Sequence, residues 1–463
     1  MLRFRRLASG ALLMALLGVL DQAPLLAQTN LETNAGVHFN FTTPGAGNLA
    51  LGGAFLALAF DASAAYTNPA GLTTITAPEA LVEARHWNYT HRFTDRGRLV
   101  GEPFLGEFDD RAGLVDGQAE NQVTGLSFLS YVYPHRDGSV ALYRHELVSF
   151  RADFSTQGAY LDQTFIRSPR GIPGEMDARL APLRNRMDVE ITAYGAAGSY
   201  RLGKGFSLGV AVSYYDFSID SLALRYLPLI DAAPDFASDP LLNSQTQRGD
   251  DSDWGFAAGF LWESPRKTWS LGGVYRQGPD FTFVAQSKPE NLPALVSFRT
   301  TTQKAAFHVP DVYGVGLAYR PIDAFRLVFD YDRVRYSQLL KGFVDIFNLA
   351  ALPPVNPQFP EPLDPELSRF AIDDTGELHL GAEYAFLRHW PVLTLRAGGW
   401  YEPDHSLRFE GNNLGFRAVF RKRDDQIHYT AGVGLALRRL QVDAAIDHSD
   451  RVSVISVSAG FRH

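Results

Sequence analysis

The chain contains no cysteine among its 463 residues. Disulfides, thiolate metal sites and a lipid anchor on an N-terminal cysteine are therefore excluded. It also lacks any long apolar run after its first 27 residues. A helix needs about 20 predominantly apolar residues to cross a bilayer, and no later segment reaches that. Basic residues are in deficit, 43 Lys and Arg against 51 Asp and Glu, for a net charge of −8. Such a chain has no net field to hold a nucleic acid, so none is expected as a partner. Catalytic patterns are missing too. His379, His428 and His448 have no nucleophile motif beside them, so no enzyme activity is expected. Gly314-Val-Gly316 and Gly432-Val-Gly434 fall within strands rather than before a helix, which rules out nucleotide loops. Asp250-Asp251-Ser252-Asp253 offers oxygens for Ca²⁺ in an external loop but lacks the full loop signature. No metal or cofactor is expected.

What is present begins with a leader. Arg3, Arg5 and Arg6 precede an apolar core at Ala11–Leu20, and Ala27 is a small residue at a cleavage point. Residues 1–27 are read as a signal peptide. Their removal takes away three Arg and one Asp and moves the net charge from −8 to −10. Behind the leader, Ala35–Thr74 is rich in small and apolar residues but is no membrane helix. Leu49–Ala59 is nearly all hydrocarbon, yet Gly52 and Gly53 interrupt it and Asp61 ends it. Asn68-Pro69-Ala70-Gly71 then forces a turn. Such a segment needs to be buried inside something.

The remainder alternates with a period of two. Tyr313, Val315, Leu317 and Tyr319 oppose Gly314, Gly316, Ala318 and Arg320. Leu378, Leu380, Ala382 and Tyr384 oppose Glu377, His379 and Glu383, and Leu440, Val442, Ala444 and Ile446 oppose Gln441, Asp443 and Asp447. Each is a strand with one greasy and one polar face. Aromatic residues sit near strand ends, as in the girdles of a membrane barrel. Strands are expected near 79–89, 123–133, 138–151, 187–202, 205–219, 253–263, 267–285, 311–320, 323–335, 376–387, 391–402, 427–438, 440–447 and 451–462. Short links alternate with long ones, except at the end. Outer-membrane barrels have short periplasmic turns and longer external loops, and an even strand count returns both ends to the periplasm. The fold class is therefore all-β, a transmembrane antiparallel barrel of about 14 strands.

Ala35-Gly36, Gly45–Asp61 and Asn68-Pro69-Ala70-Gly71-Leu72 carry a resemblance, extended by Trp269–Arg276 (WSLGGVYR) and Phe307–Arg320 (FHVPDVYGVGLAYR). With the barrel pattern behind it, the chain resembles the FadL/TodX family of outer-membrane transporters of long-chain fatty acids and aromatic hydrocarbons. The resemblance implies an N-terminal hatch in the lumen, residues 28–78, then a barrel over 79–463 with long extracellular loops. It implies a passive route for hydrophobic molecules from outside into the barrel wall and on into outer-membrane lipid. Asn68, Pro69 and Ala70 would set the hatch turn. Fatty-acid members have a kinked third strand that opens the wall; the third strand here, Ser139–Arg151, has no Gly or Pro to mark one.

Passage of a fatty acid needs an apolar path and a cation for the head group. The path is drawn from Leu49, Leu51, Phe55 and Leu56 in the hatch. Leu227, Leu229 and Phe236 continue it in the segment Leu222–Leu242, read as a loop, and Phe343 and Phe347 in a short amphipathic helix over Leu339–Leu352. Packing alone would use the same residues. Arg225, Lys341, Arg326 and Arg396 are candidate carboxylate partners. Arg326 and Arg396 share their face with Asp330, Asp332, Glu377 and Glu383, so an ion-pair network holding barrel and hatch is the favoured role for those two. The expected function is outer-membrane uptake of hydrophobic molecules, long-chain fatty acids foremost, by a monomer. One alternative is a non-transporting barrel that shuttles for a secretion system; another is a general porin.

Overall fold

The structure, a computed structural model, describes residues 39, 41–100, 111–161, 166–167, 173–174, 178–226, 233–290, 300–340, 369–412 and 414–463. The expected leader lies outside these residues. So do five of the candidate ligand contacts, Leu227, Leu229, Lys341, Phe343 and Phe347, and most of the expected helix over Leu339–Leu352.

Sixteen strands build the main sheet. They are β1 (Glu79–Gly97), β2 (Leu114–His135), β3 (Gly138–Thr156), β4 (Leu183–Gly203), β5 (Phe206–Tyr226), β6 (Leu241–Glu263), β7 (Trp269–Arg276), β8 (Asp280–Pro289), β9 (Thr301–His308), β10 (Val312–Ile322), β11 (Phe325–Val334), β12 (Thr375–Ala385), β13 (Val392–Glu402), β14 (Gln426–Ala436), β15 (Leu440–His448) and β16 (Val452–Arg462). Fourteen of them close into an antiparallel ring, in which β7 joins β6 on one side and β10 on the other. The seam is β1 against β16, from Glu79↔Arg462 to Tyr89↔Val452. Every ring strand matches one read from the sequence. No helix among the described residues is long and apolar enough to cross a membrane.

The alternating pattern decides which way side chains point. Val140, Leu142, Val210, Leu380, Ile446 and Ile455 face outward and are exposed. Their neighbours Ser139, His379, Asp447 and Ser456 face inward and are buried. A surface this apolar, with a polar interior, suits lipid outside and not water. Outward aromatic side chains pair near the strand ends, with Trp269 against Tyr319 at 4.2 Å and Tyr214 against Trp254 at 5.3 Å. Turns on one side are tight. Lys204 and Gly205 both take positive φ, 53° and 79°, as a two-residue hairpin between right-twisted strands requires.

Three expectations need correction. The first concerns Leu222–Leu242, read as a loop. Leu222–Tyr226 ends β5 and Leu241–Leu242 begins β6, because these two strands pair well past the membrane-height portion of the ring. The second concerns Asp250–Asp253, placed in an external loop. These residues lie within β6, where Asp251 accepts from the backbone and hydroxyl of Thr282 at 2.7 and 2.8 Å and Asp253 accepts from the Asp280 N–H at 2.8 Å. Third, the expected strand 267–285 is broken. Pro279 cannot donate to a ladder, so β7 stops at Arg276 and β8 restarts at Asp280, still on β6. β9, which the sequence reading missed, returns beside β8.

The strands differ in length. β1 to β6 run 19 to 23 residues, whereas β10 to β16 run 9 to 11, the length a tilted strand needs to cross a bilayer. One side of the wall therefore stands taller than the other.

Candidate functional site

The chain before β1 occupies the ring's interior. Short helices at Ala46–Leu49 and Ala64–Thr67 and a 3₁₀ turn at Pro69–Thr74 are joined by tight turns, and almost every residue is buried. A backbone this irregular leaves many amides without local partners, and inward-facing wall residues supply them. Asp330 on β11 accepts from Phe55 and Leu56 N–H at 2.6 and 2.8 Å. Thr430 on β14 accepts from Gly52 N–H at 3.0 Å and donates to the Ala50 carbonyl at 3.1 Å. His379 on β12 lies 2.7 Å from the Gly52 carbonyl. Ser458 accepts from Ala46 N–H, Glu79 from Ala62 N–H, and Arg276 donates to the Tyr66 carbonyl, at 3.1, 2.9 and 2.9 Å.

Inward glycines let this backbone touch the wall. A Cβ on Gly272 would lie 2.0 Å from the Leu56 carbonyl oxygen, and one on Gly381 would lie 2.4 Å from that of Leu51. The Asn68-Pro69-Ala70 turn uses the same device. Asn68 caps the 3₁₀ turn by accepting from Ala70 N–H at 3.2 Å, and its amide donates to the Leu56 and Phe260 carbonyls at 2.8 and 3.0 Å. Gly259 and Gly209 make room for it.

The four candidate residues of this segment are all buried but are not brought together. Leu49 packs with Trp87, Tyr89 and Val454, whereas Leu51 packs with Ala318 and Val328. Phe55 meets Phe60 edge-on at 5.0 Å, and Leu56 abuts Gly314 and Gly316. On the side of the tight turns lies a polar cavity of 390 Å³, lined among others by Phe60, Glu79, Arg326, Glu383, Arg396 and Arg462. Arg396 pairs with Glu383 at 2.8 Å and Asp443 at 2.5 Å, and Arg326 with Glu383 at 3.6 Å. Both guanidinium groups stand 5.9 Å from the Phe60 ring. Arg326 and Arg396 are thus members of an ion-pair network that touches the inner segment.

On the opposite side the lumen is apolar. Leu147, Phe150 and Phe154 of β3, Met187 and Ile191 of β4, Phe217 and Ile219 of β5 and Phe281 and Phe283 of β8 form one buried cluster with Phe93 and Tyr336. Rings stack through it, Phe93 on Phe154 at 4.3 Å and Phe217 on Phe281 at 4.7 Å. Phe39 stacks on Phe307 at 5.9 Å. Arg225, 2% exposed, sits at the upper end, opposite Leu183 and Asn243. Phe236 is half-buried and packs edge-on against Tyr226 at 5.1 Å. The sequence reading missed this cluster. Its signal was there: Phe150, Phe154, Phe217 and Phe281 hold inward positions where the rest of the barrel carries polar groups.

Beside this cluster the wall parts. The β2–β3 ladder runs from His135↔Gly138 to Phe128↔His145 and stops. β2 continues on β1 as far as Leu114, and β3 continues on β4 as far as Thr156. Each strand has a bulge at the parting, at Ser127 and at Leu147. A bulge bends its strand without needing Gly or Pro, which is why the third strand gave no sign of it.

A closed, lipid-facing ring around a filled polar base and an apolar upper lumen defines an outer-membrane β-barrel of the transporter class. A family model described as "Outer membrane protein transport protein (OMPP1/FadL/TodX)" matches residues 172–449. The chain belongs to this family of outer-membrane transporters of hydrophobic compounds. Among solved structures, a Pseudomonas aeruginosa FadL homologue shares 16% identity over 92% of this chain and 99% of its own, with a TM-score of 0.57. The CymD monoaromatic hydrocarbon channel shares 16% over 92% and 99%, with a TM-score of 0.51. The P. putida toluene transporter TodX shares 13% over 92% and 99%, also at 0.51. At these identities the likeness concerns the fold. No curated protein matches the chain.

Proposed function

We propose that this chain, as a monomer, carries long-chain fatty acids passively across the outer leaflet. The inner segment acts as the hatch, and cargo leaves sideways between β2 and β3. The observation that carries the reading is a juxtaposition. The apolar upper lumen reaches Leu147 and Phe150 where the β2–β3 ladder ends, while the way straight down is filled by bonded backbone. Capture removes apolar surface from water, worth about 25 cal/mol per Å², and the gradient then runs into lipid. No energy source is needed. Arg225 at the upper end supplies a cation for a carboxylate.

The stacked rings of the upper lumen favour one competing cargo, monoaromatic hydrocarbons, the cargo class of the CymD channel and the toluene transporter TodX. Binding of radiolabelled oleate and of toluene to the purified barrel separates the two. Saturable oleate binding, lost in Phe217→Arg, supports fatty acids. Saturable toluene binding without oleate binding moves the assignment to hydrocarbons, and neither would end the transport reading.

A further inference from the structure

Where the wall parts, two charged side chains stand in for the missing ladder. Arg144 is opposite Tyr194 on the outward face of β3, three residues before the bulge at Leu147. Its guanidinium donates to the Leu126 carbonyl of β2, reaches Thr192 Oγ1 at 3.5 Å and lies 3.6 Å from the Glu146 carboxylate. Glu146 leans across the gap, so that a Cβ on Gly125 of β2 would sit 3.0 Å from its Oε2. The outward position below, Leu142, is apolar, as are Leu129 and Leu126 level with the pair on β2, and those above are polar, Ser149, Arg151, Thr124 and Gln122. The pair therefore marks the height at which the surface changes from lipid-facing to polar. Both residues belong to β3, and the guanidinium bond to the Leu126 carbonyl is what reaches across to β2, at the foot of an opening that an apolar chain would pass.

We propose that Arg144 is the head-group contact at the exit, with Glu146 as its resting partner. A carboxylate arriving with its chain towards lipid exchanges for Glu146 on the same guanidinium, and the freed Glu146 swings out to the polar zone. A guanidinium accepts either carboxylate in the same geometry. A neutral cargo has no such exchange and must displace the pair without replacement. This deepens the fatty-acid and lateral-exit reading above and rests on it.

The test uses the full-length protein in lipid vesicles, with influx of oleate and of oleyl alcohol measured in parallel. Arg144→Gln should lower the oleate-to-alcohol rate ratio about tenfold, the scale of one hydrogen bond to a charged group. Arg144→Lys should keep most of the ratio, and Glu146→Gln should raise it. Should Arg144→Gln fail to form a barrel, Glu146→Gln, nearly isosteric, still decides. A second variant joins Gly125→Cys and Glu146→Cys with a bifunctional thiol reagent, in a chain that has no other cysteine. Both cargoes stopped by the bridge, with ratios unmoved in the point variants, overturns the role of Arg144 and leaves the exit intact. Influx unaffected by the bridge overturns the exit and this inference together.

Discussion

Asp330→Ala should free the middle of the inner segment while leaving the barrel closed. The Asp330 carboxylate accepts two consecutive amides, Phe55 at 2.6 Å and Leu56 at 2.8 Å, from a stretch that makes no helix or strand there. Hydrogen bonds to a charged group are worth about 1.5–3 kcal/mol each. A water entering the vacated space would recover part of that. The low end of the sum, about 3 kcal/mol, corresponds to roughly a hundredfold rise in the open population of this stretch. Ring strands lose no ladder bond, because the bonds removed go to side-chain oxygens and not to β11 backbone. Hydrogen exchange of peptides covering Ala54–Leu58 reads the change, and heat-modifiable migration reads the barrel. Asp332→Ala is the control, since Asp332 lies against His379 at 3.6 Å and not on these amides. Unchanged exchange at Phe55 and Leu56 in Asp330→Ala, with an intact barrel, would refute the anchoring role.

Other perturbations follow from the same geometry. Gly272→Ala puts a methyl 2.0 Å from the Leu56 carbonyl, so limited proteolysis should cut the inner segment faster in that variant. Leu380→Arg places a charge on the lipid-facing side, where Leu380 is 59% exposed, and should cost about 2–4 kcal/mol in refolding titrations from urea into vesicles. Burial, with Glu79 nearby, pushes the Asp61 carboxyl up from 3.8 to about 7. Its contribution to docking is therefore complete below pH 3.8 and is lost as the pH rises through about 7. Protease protection of the segment around Asp61 should fall over that range in the wild type and stay flat in Asp61→Asn.

Much of the ring was legible because each strand must satisfy two solvents at once. Alternation such as Leu378-His379-Leu380 has no other economical use, and it located every ring strand. Strand ends were harder. Tyr226 and Leu241 lie beyond the lipid, where both faces meet protein or water and the period of two loses its contrast. The upper lumen was missed because Phe217 and Phe281 alternate with polar outward residues, which inverts the membrane pattern. The parting of the wall was invisible for a different reason. A bulge at Leu147 costs one ladder step and leaves no residue signature. In the inner segment, Asn68-Pro69-Ala70 was readable as a turn, whereas its partners Gly209 and Gly259 looked like ordinary strand glycines.

The seam between β1 and β16 has a consequence for how the molecule can be made. Glu79, the first residue of β1, both pairs with Arg462 of the last strand and holds Ala62 of the inner segment. Gly209 on β5, Gly259 on β6, Gly272 on β7 and Gly381 on β12 each lie against that segment, so that a Cβ would meet it first. A ring sealed first would have its lining shaped to a filling that had still to be threaded in and bonded to it. The order of assembly is therefore written into the contacts: the earliest-made stretch lies down as the template, the strands gather around it, and joining the two ends of the chain is the step that locks the filling in.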